Sequence, residues 1–248
     1  MAADAPLTWT VNGQTAVATL GDYRIEVNAA QPGQGVSWTN TANNAFQGHT
    51  LQFVAPASSK STPQLVDLYV RGSDLIATYE QLPGAEVQPQ LYWRLLTDDA
   101  LQAVGVQVLI SMQTSLLNSE PKCTVESQLP GARTAIWDFV SQAWNGSLPD
   151  QTFDLRLVPT ASGRVTWFSV PKQVNSYIEV IYPDDYVAQH VTFGRSASCF
   201  FAEHLEKGVI RRGRIAGWLV PNKNLMSEAR EPLKLLDFAK REALPLTT

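Results

Sequence analysis

Leu65-Val66-Asp67-Leu68-Tyr69-Val70 runs into Arg71-Gly72-Ser73-Asp74, and Leu75-Ile76-Ala77-Thr78-Tyr79-Glu80 follows. Two runs rich in β-branched and aromatic residues flank a Gly-Ser-Asp cluster. Glycine tolerates positive φ and Ser or Asp can hydrogen-bond the turn backbone, so the stretch reads as a β-hairpin. The same grammar recurs along the chain. Tyr23, Ile25 and Val27 alternate with Arg24 and Glu26, the pattern of a half-buried strand, and Val36-Ser37-Trp38-Thr39 is a shorter version. Further strands are expected over 87–96, 103–113, 123–129, 153–158, 164–170, 177–182, 191–194, 198–206 and 209–220. Pro83-Gly84, Pro130-Gly131, Asn145-Gly146, Ser162-Gly163 and Pro183-Asp184-Asp185 punctuate the junctions.

Strands at this spacing, without long intervening helical patterns, indicate an all-β fold: an antiparallel two-sheet sandwich or supersandwich of a dozen or more strands, not βαβ units. Two segments depart from the pattern. Ile136, Phe139, Val140 and Ala143 fall at i, i+3, i+4 and i+7, which predicts a short helix over 135–144 ending at Asn145-Gly146. The tail places Leu225, Ala229, Leu233, Leu236 and Ala239 or Lys240 on one stripe, an amphipathic helix near 222–242 interrupted or restarted at Pro232. With no repeat, low-complexity tract or linker, residues 1–248 are expected to form one β-sandwich domain that includes the helical tail 222–248.

Length and composition agree. A chain of 248 residues buries roughly 70–75% of its unfolded surface and needs no metal or disulfide for stability. Hydrophobic content of 44% and charged content of 17% are globular values. The formal net charge of −4 argues against a general nucleic-acid binder, which needs clustered Lys and Arg. Residues 200–248 are the locally basic part, with nine basic residues against six acids. The two cysteines, Cys123 and Cys199, form no CxxC pair. They read as ordinary thiols, one long-range disulfide being the alternative. Met1 to Thr8 lacks the positive and apolar regions of a signal peptide, and no apolar run approaches the 18 residues of a membrane span. The expectation is a soluble cytoplasmic protein without a membrane partner, although a secreted chain stripped of its leader would read the same.

Several chemistries lack their motifs. No GxxxxGK[ST] or GxGxxG follows a strand, and no GxSxG elbow occurs. The histidines, His49, His190 and His204, form no HExxH or HxH pair, so no metal site and no cofactor are expected. The densest polar constellation is 200–214. If 198–206 and 209–220 are antiparallel neighbours turning at Lys207-Gly208, His204 and Glu206 share one strand face and Arg212, Arg214 and Trp218 share another. Cross-strand reach would then unite His204 or Glu206 with Arg212 or Arg214, a face able to bind an anion or a carboxylated sugar or to do acid–base work. Ordinary cross-strand ion pairs on a solvated sheet are the alternative. Seven Trp residues are spread along the chain; exposed ones would serve as stacking platforms for sugar rings, buried ones as core.

In outline, the succession of long antiparallel strands over residues 7–220 resembles the galactose-mutarotase-like supersandwich. That resemblance implies a concave sheet that binds a sugar, with a histidine and a carboxylate as acid and base; no local motif maps those residues here. The expected function is therefore a carbohydrate-associated domain, binding a sugar on a concave sheet or acting on it without a metal. His204, Glu206, Arg212 and Arg214 are the candidate contacts and Trp218 a candidate stacking platform. A non-enzymatic structural or interaction domain, self-associating through a sheet edge or the C-terminal helix, is the second expectation. A small-molecule-binding barrel with a closed apolar cavity is the third.

Overall fold

Alternation along each strand sends one set of side chains into the space between two sheets and the other set outward. A computed structural model of the chain describes residues 7–40, 46, 48–141, 143–146, 154–157, 159, 162–222 and 234–235. Its eighteen strands form two antiparallel sheets. Sheet one contains β1 (Thr10–Asn12), β2 (Thr15–Leu20), β3 (Tyr23–Asn28), β4 (Val36–Asn40), β5 (His49–Val54), β10 (Cys123–Gln128), β13 (Asp154–Leu157), β16 (Ala188–Thr192) and β17 (Arg195–Phe200). Sheet two contains β6 (Leu65–Arg71), β7 (Asp74–Tyr79), β8 (Gln88–Asp98), β9 (Ala103–Gln113), β11 (Arg133–Asp138), β12 (Ala143–Gly146), β14 (Arg164–Ser169), β15 (Asn175–Ile181) and β18 (Arg211–Pro221). The orders are β1-β2-β3-β4-β5-β10-β17-β16-β13 and β12-β11-β14-β15-β18-β9-β8-β7-β6. Both orders are open, so the architecture is a sandwich and not a closed barrel.

The main core lies between the sheets. Ile25, Trp38, Leu51, Phe53 and Val125 of sheet one meet Leu75, Tyr79, Trp93, Val106, Phe168 and Ile215 of sheet two. Several of the buried polar atoms in this layer are paired across the sheets, as low-dielectric surroundings favour. Tyr79 Oη donates to the Ala29 carbonyl at 2.7 Å, and Trp9 Nε1 donates to the Trp93 carbonyl at 3.0 Å. One buried network ties the sheets together. Glu179 on β15 accepts a short hydrogen bond from Ser196 on β17, and Tyr177 Oη lies 3.4 Å from both Glu179 Oε1 and Ser127 Oγ on β10. Gly217 makes room for it, because a Cβ there would stand 2.3 Å from Tyr177 Oη.

Sheet two is also covered on its outer face. Trp137, Val165, Ile178, Val180, Tyr182, Ala216, Trp218 and Val220 form a second apolar cluster, which Leu235 joins. Lys234 and Leu235 are helical, but the rest of the helix expected near 222–242 lies outside the described residues, Asn222 apart. Among the described residues no helix is long and apolar enough to cross a membrane.

The hairpin over 64–82 forms as expected, with Arg71 opposite Asp74 and Gly72 at φ +61° in the turn. Two other expectations are overturned. Residues 135–144 are not a helix but the β11–β12 hairpin, with Trp137 opposite Trp144 at 5.3 Å between ring centroids. Asp138 holds the turn, accepting from the Val140 amide and the Ser141 hydroxyl at 2.8 Å each. Val140, which the helical stripe would bury, is 94% exposed. The cross-strand indole pair and the Asx turn outweigh the helical spacing. Likewise 198–206 and 209–220 are not hairpin partners. β17 ends at Phe200, and its two sides are taken by β10 and β16. β18 lies in the other sheet between β9 and β15. The segment 201–210 is the crossing between sheets; it leaves β17 through Phe201 at φ +62° and touches Ser119 through Leu205.

The register also decides the cysteines. Cys123 stands opposite Phe200 and Cys199 opposite Thr124, so the two side chains leave adjacent strands on opposite faces and both thiols are free. Burial pushes the Cys123 thiol far up.

Burial without a cation raises the Glu179 carboxyl, against the lowering effect of its hydrogen bonds from Ser127, Ser196 and Tyr177. A carboxyl raised in the folded state contributes its full stability below its unfolded pKa and loses it as pH rises through the folded value. Glu179→Gln keeps a neutral acceptor in place. Its Tm is expected to equal that of the wild type near pH 4 and to exceed it increasingly from neutral to alkaline pH. Calorimetric melts across this range check the prediction, and a pH-independent difference refutes it.

Candidate site on the outer face of sheet two

The register of sheet two reads as rows of side chains on its outer face. Asp74, Arg94, Gln107 and Ala216 make one row. Tyr69, Ile76, Tyr92, Leu109 and Arg214 make the next, and Thr78, Gln90, Ser111 and Arg212 the one after. In the other direction, Leu96, Gly105, Trp218, Ile178 and Trp167 share a row. The outer face thus has an indole-rich half, where Trp137, Trp144 and Trp167 touch in sequence, and a polar half around Arg94, Arg212 and Arg214.

The polar half is built from short, directed contacts. Arg94 grips Asp74 with two prongs, Nε to Oδ1 at 2.7 Å and Nη2 to Oδ2 at 3.0 Å. Arg214 Nε donates to Asp185 Oδ2 at 2.6 Å, and its guanidinium lies 3.8 Å over the centroid of the Tyr182 ring. Gln107 donates to the Tyr182 hydroxyl, and Tyr92 Oη donates to Gln90 Oε1 at 2.6 Å. Both ion pairs are largely shielded from water, the regime where planar, two-pronged guanidinium geometry counts most. Burial raises the Asp185 carboxyl, and the Arg214 guanidinium works against that rise. Burial also raises the Tyr92 hydroxyl, with Arg212 and Arg71 opposing.

Where the polar half meets the loops, a pocket of about 220 Å³ opens. Asp184, Asp185, Glu203, Arg211 and Arg212 supply its polar lining, and Tyr186 and Phe201 line it too. Glu203 accepts from Arg211 at 2.6 Å. The volume is below the ~300–1,000 Å³ that drug-sized ligands occupy, and suits one ring or a chain end. A larger groove of about 940 Å³ lies at the other end of β15 and β18, lined by Asp22, Tyr23, Asn40, Asp98 and Asn175 among others, and holds none of the residues expected from sequence.

Of those residues, Arg212, Arg214 and Trp218 do share one face. Arg212 lines the pocket and Arg214 reaches it through Asp185. His204 and Glu206 sit exposed on the crossing segment, outside the pocket lining, because the hairpin that would have turned them toward the arginines does not exist. Trp218 is fully buried: its indole lies over Gly105, where a Cβ would come within 2.7 Å of the ring. It is a packing residue of the indole-rich half and presents no open ring to a sugar. Asp74, Arg94, Gln107, Tyr182 and Asp185 were not singled out from sequence. The strand alternation Gln90-Tyr92-Arg94 against Leu91-Trp93-Leu95 carried the signal for a polar outer face. Asp74 and Asp185 read as turn residues, and only the fold turns their carboxylates onto arginines.

No family model and no curated protein matches the chain. Solved structures do. A proposed kojibiose phosphorylase from the human microbiome superposes with a TM-score of 0.53 at 7% identity, over 96% of this chain and 33% of that one. A proposed aldose 1-epimerase from Klebsiella pneumoniae subsp. pneumoniae (TM-score 0.49, 7% identity, 93% of this chain and 85% of that one) and a GalM/aldose epimerase homologue from C. elegans (0.47, 9%, 88% and 100%) also align. The chain spans about a third of the length of the phosphorylase. At these identities the likeness is one of fold.

Removing one partner of a shielded ion pair strands the other. Asp74→Ala is expected to cost about 3 kcal/mol, and the double change Asp74→Ala/Arg94→Ala clearly less than the sum of the two single changes. A double-mutant cycle by urea unfolding measures the coupling; additive single costs would refute it.

Proposed function

We propose that the polar half of the outer face of sheet two, together with the adjoining 220 Å³ pocket, binds a carbohydrate. The observation that carries this reading is the interleaving of carboxylates and guanidinia beside a buried aromatic ring: Asp184, Asp185 and Glu203 beside Arg211 and Arg212, with Arg214 stacked on Tyr182. Adjacent sugar hydroxyls each need a donor and an acceptor, and such a surface offers both at hydrogen-bond spacing. The lining is nearly balanced in charge, which favours a neutral ring over an acidic one. The fold-level likeness to a protein described as a kojibiose phosphorylase raises the prior by analogy alone.

The finer form of the reading is acid–base chemistry on the bound sugar without a metal, with Asp185, the shielded carboxylate paired with Arg214, as the group that exchanges the proton. The second reading, an interaction domain, is favoured by one feature of sheet two, its β6 edge.

Calorimetric titration with a panel of neutral and acidic saccharides tests the site. A charged hydrogen bond contributes about 1.5–3 kcal/mol, so Arg212→Ala is expected to weaken binding roughly 10- to 100-fold with Tm unchanged. Absent binding across the panel, or binding indifferent to both Arg212→Ala and Asp184→Asn, refutes the reading. Polarimetry of anomer interconversion, with Asp185→Asn as the comparison, separates a protein that acts from one that binds.

A further inference from the structure

Among the described residues β6 is a terminal strand of sheet two, and at seven residues it is longer than the other terminal strands, β12 with four, β1 with three and β13 with four. Its side chains are not blunted by burial: Val66 is 59% and Tyr69 41% exposed. The Leu68 amide donates to its neighbour's carboxylate, Asp67 Oδ1 at 2.9 Å, and so points away from β7. After the bulge between Leu65 and Asp67, the even-numbered residues therefore present their backbone N–H and C=O groups to the open edge.

Asp67, Tyr69 and Arg71 fall on the outer face, opposite Thr78, Ile76 and Asp74. Asp67 and Arg71 are four residues apart on one strand, about 13 Å, too far to pair with each other, and among the described residues neither forms an ion pair. Asp74, the acid nearest Arg71, is held by Arg94.

We propose that β6 pairs with β6 of a second copy of this chain, antiparallel about a two-fold axis at Tyr69. In that register Leu68 and Val70 of one copy exchange hydrogen bonds with Val70 and Leu68 of the other. Tyr69 meets Tyr69, and each Asp67 meets the other copy's Arg71. These last are the non-hydrogen-bonded pairs, whose side chains approach most closely. The occupant is a second copy because the strand's charges are complementary to themselves under the two-fold: an acid and a base, placed symmetrically about an aromatic centre. Asp67 has two states. In the monomer it caps the Leu68 amide; in the pair it turns to Arg71 and leaves that amide to the facing Val70 carbonyl.

The test is a charge swap followed by sedimentation velocity over a concentration series. The wild type is expected to dimerise. Asp67→Arg and Arg71→Asp are each expected to weaken the dimer at least tenfold, with thermal stability retained because both side chains are exposed. An equimolar mixture of the two variants is expected to recover a heterodimer, since each reversed charge then faces its opposite, and the double variant to recover the homodimer. A wild type that stays monomeric at the highest soluble concentration overturns the proposal. So does a dimer indifferent to the single reversals, or a mixture that does not associate.

Discussion

The centre of sheet two, β15 and β18, is buried on both faces, and most of the structure follows from that constraint. A sheet with one wet face can leave every second side chain to water. Here β15 is buried at all seven positions, and β18 from Gly213 to Val220 is buried everywhere except at Arg214. Both alternating sets must therefore be either apolar or paired. On the inner face the requirement is met by the main core and the Glu179 network. On the outer face it is met by indoles at one end and by the pairs Asp74–Arg94 and Asp185–Arg214 at the other. The polar half is thus first a solution to a burial problem. Its directed, preorganised geometry is a consequence of the same shielding that makes an unpaired charge costly.

The same constraint explains what was legible in the residues. Strands with one half-exposed face, such as Tyr23–Asn28 and Gln88–Asp98, show their alternation plainly. The Gly72-Ser73 turn sits where its chemistry says. β18 carries the run Ile215–Val220, buried on both faces, whose sheet membership no periodicity can assign. That is why β17 and β18 could be taken for a hairpin: adjacency in the chain argues for pairing, but β18 is the strand that fills the gap between β9 and β15. The error carried into the site. Arg212, Arg214 and Trp218 were placed on one face correctly, because alternation within a strand needs no partner. Their supposed neighbours, His204 and Glu206, depended on the pairing and were lost with it.

The β11–β12 hairpin shows the limit of pattern from another side. Ile136, Phe139, Val140 and Ala143 satisfy a helical stripe, yet Val140 is 94% exposed in the turn. The deciding contacts run across strands, Trp137 against Trp144 and Trp144 against Trp167; Trp167 comes from β14, more than twenty positions along the chain from Trp144. A window of ten residues cannot contain that information. Asp138 is the residue whose side chain closes the turn.

The row that begins at Tyr69 ends at Arg214, which gives the edge and the candidate site a common geometry. Tyr69, Ile76, Tyr92, Leu109 and Arg214 run side by side across five strands of one face. In the proposed pair a two-fold at Tyr69 would carry this row on into a second copy, with each β18 four strands in from its own β6. A pair of sites would suit a ligand with many repeats, because the second engagement is intramolecular and gains from effective concentration without a new contact. A short sugar would not sense the pairing; a polymer of the same sugar would. The edge and the pocket are thus linked through the continuity of one sheet.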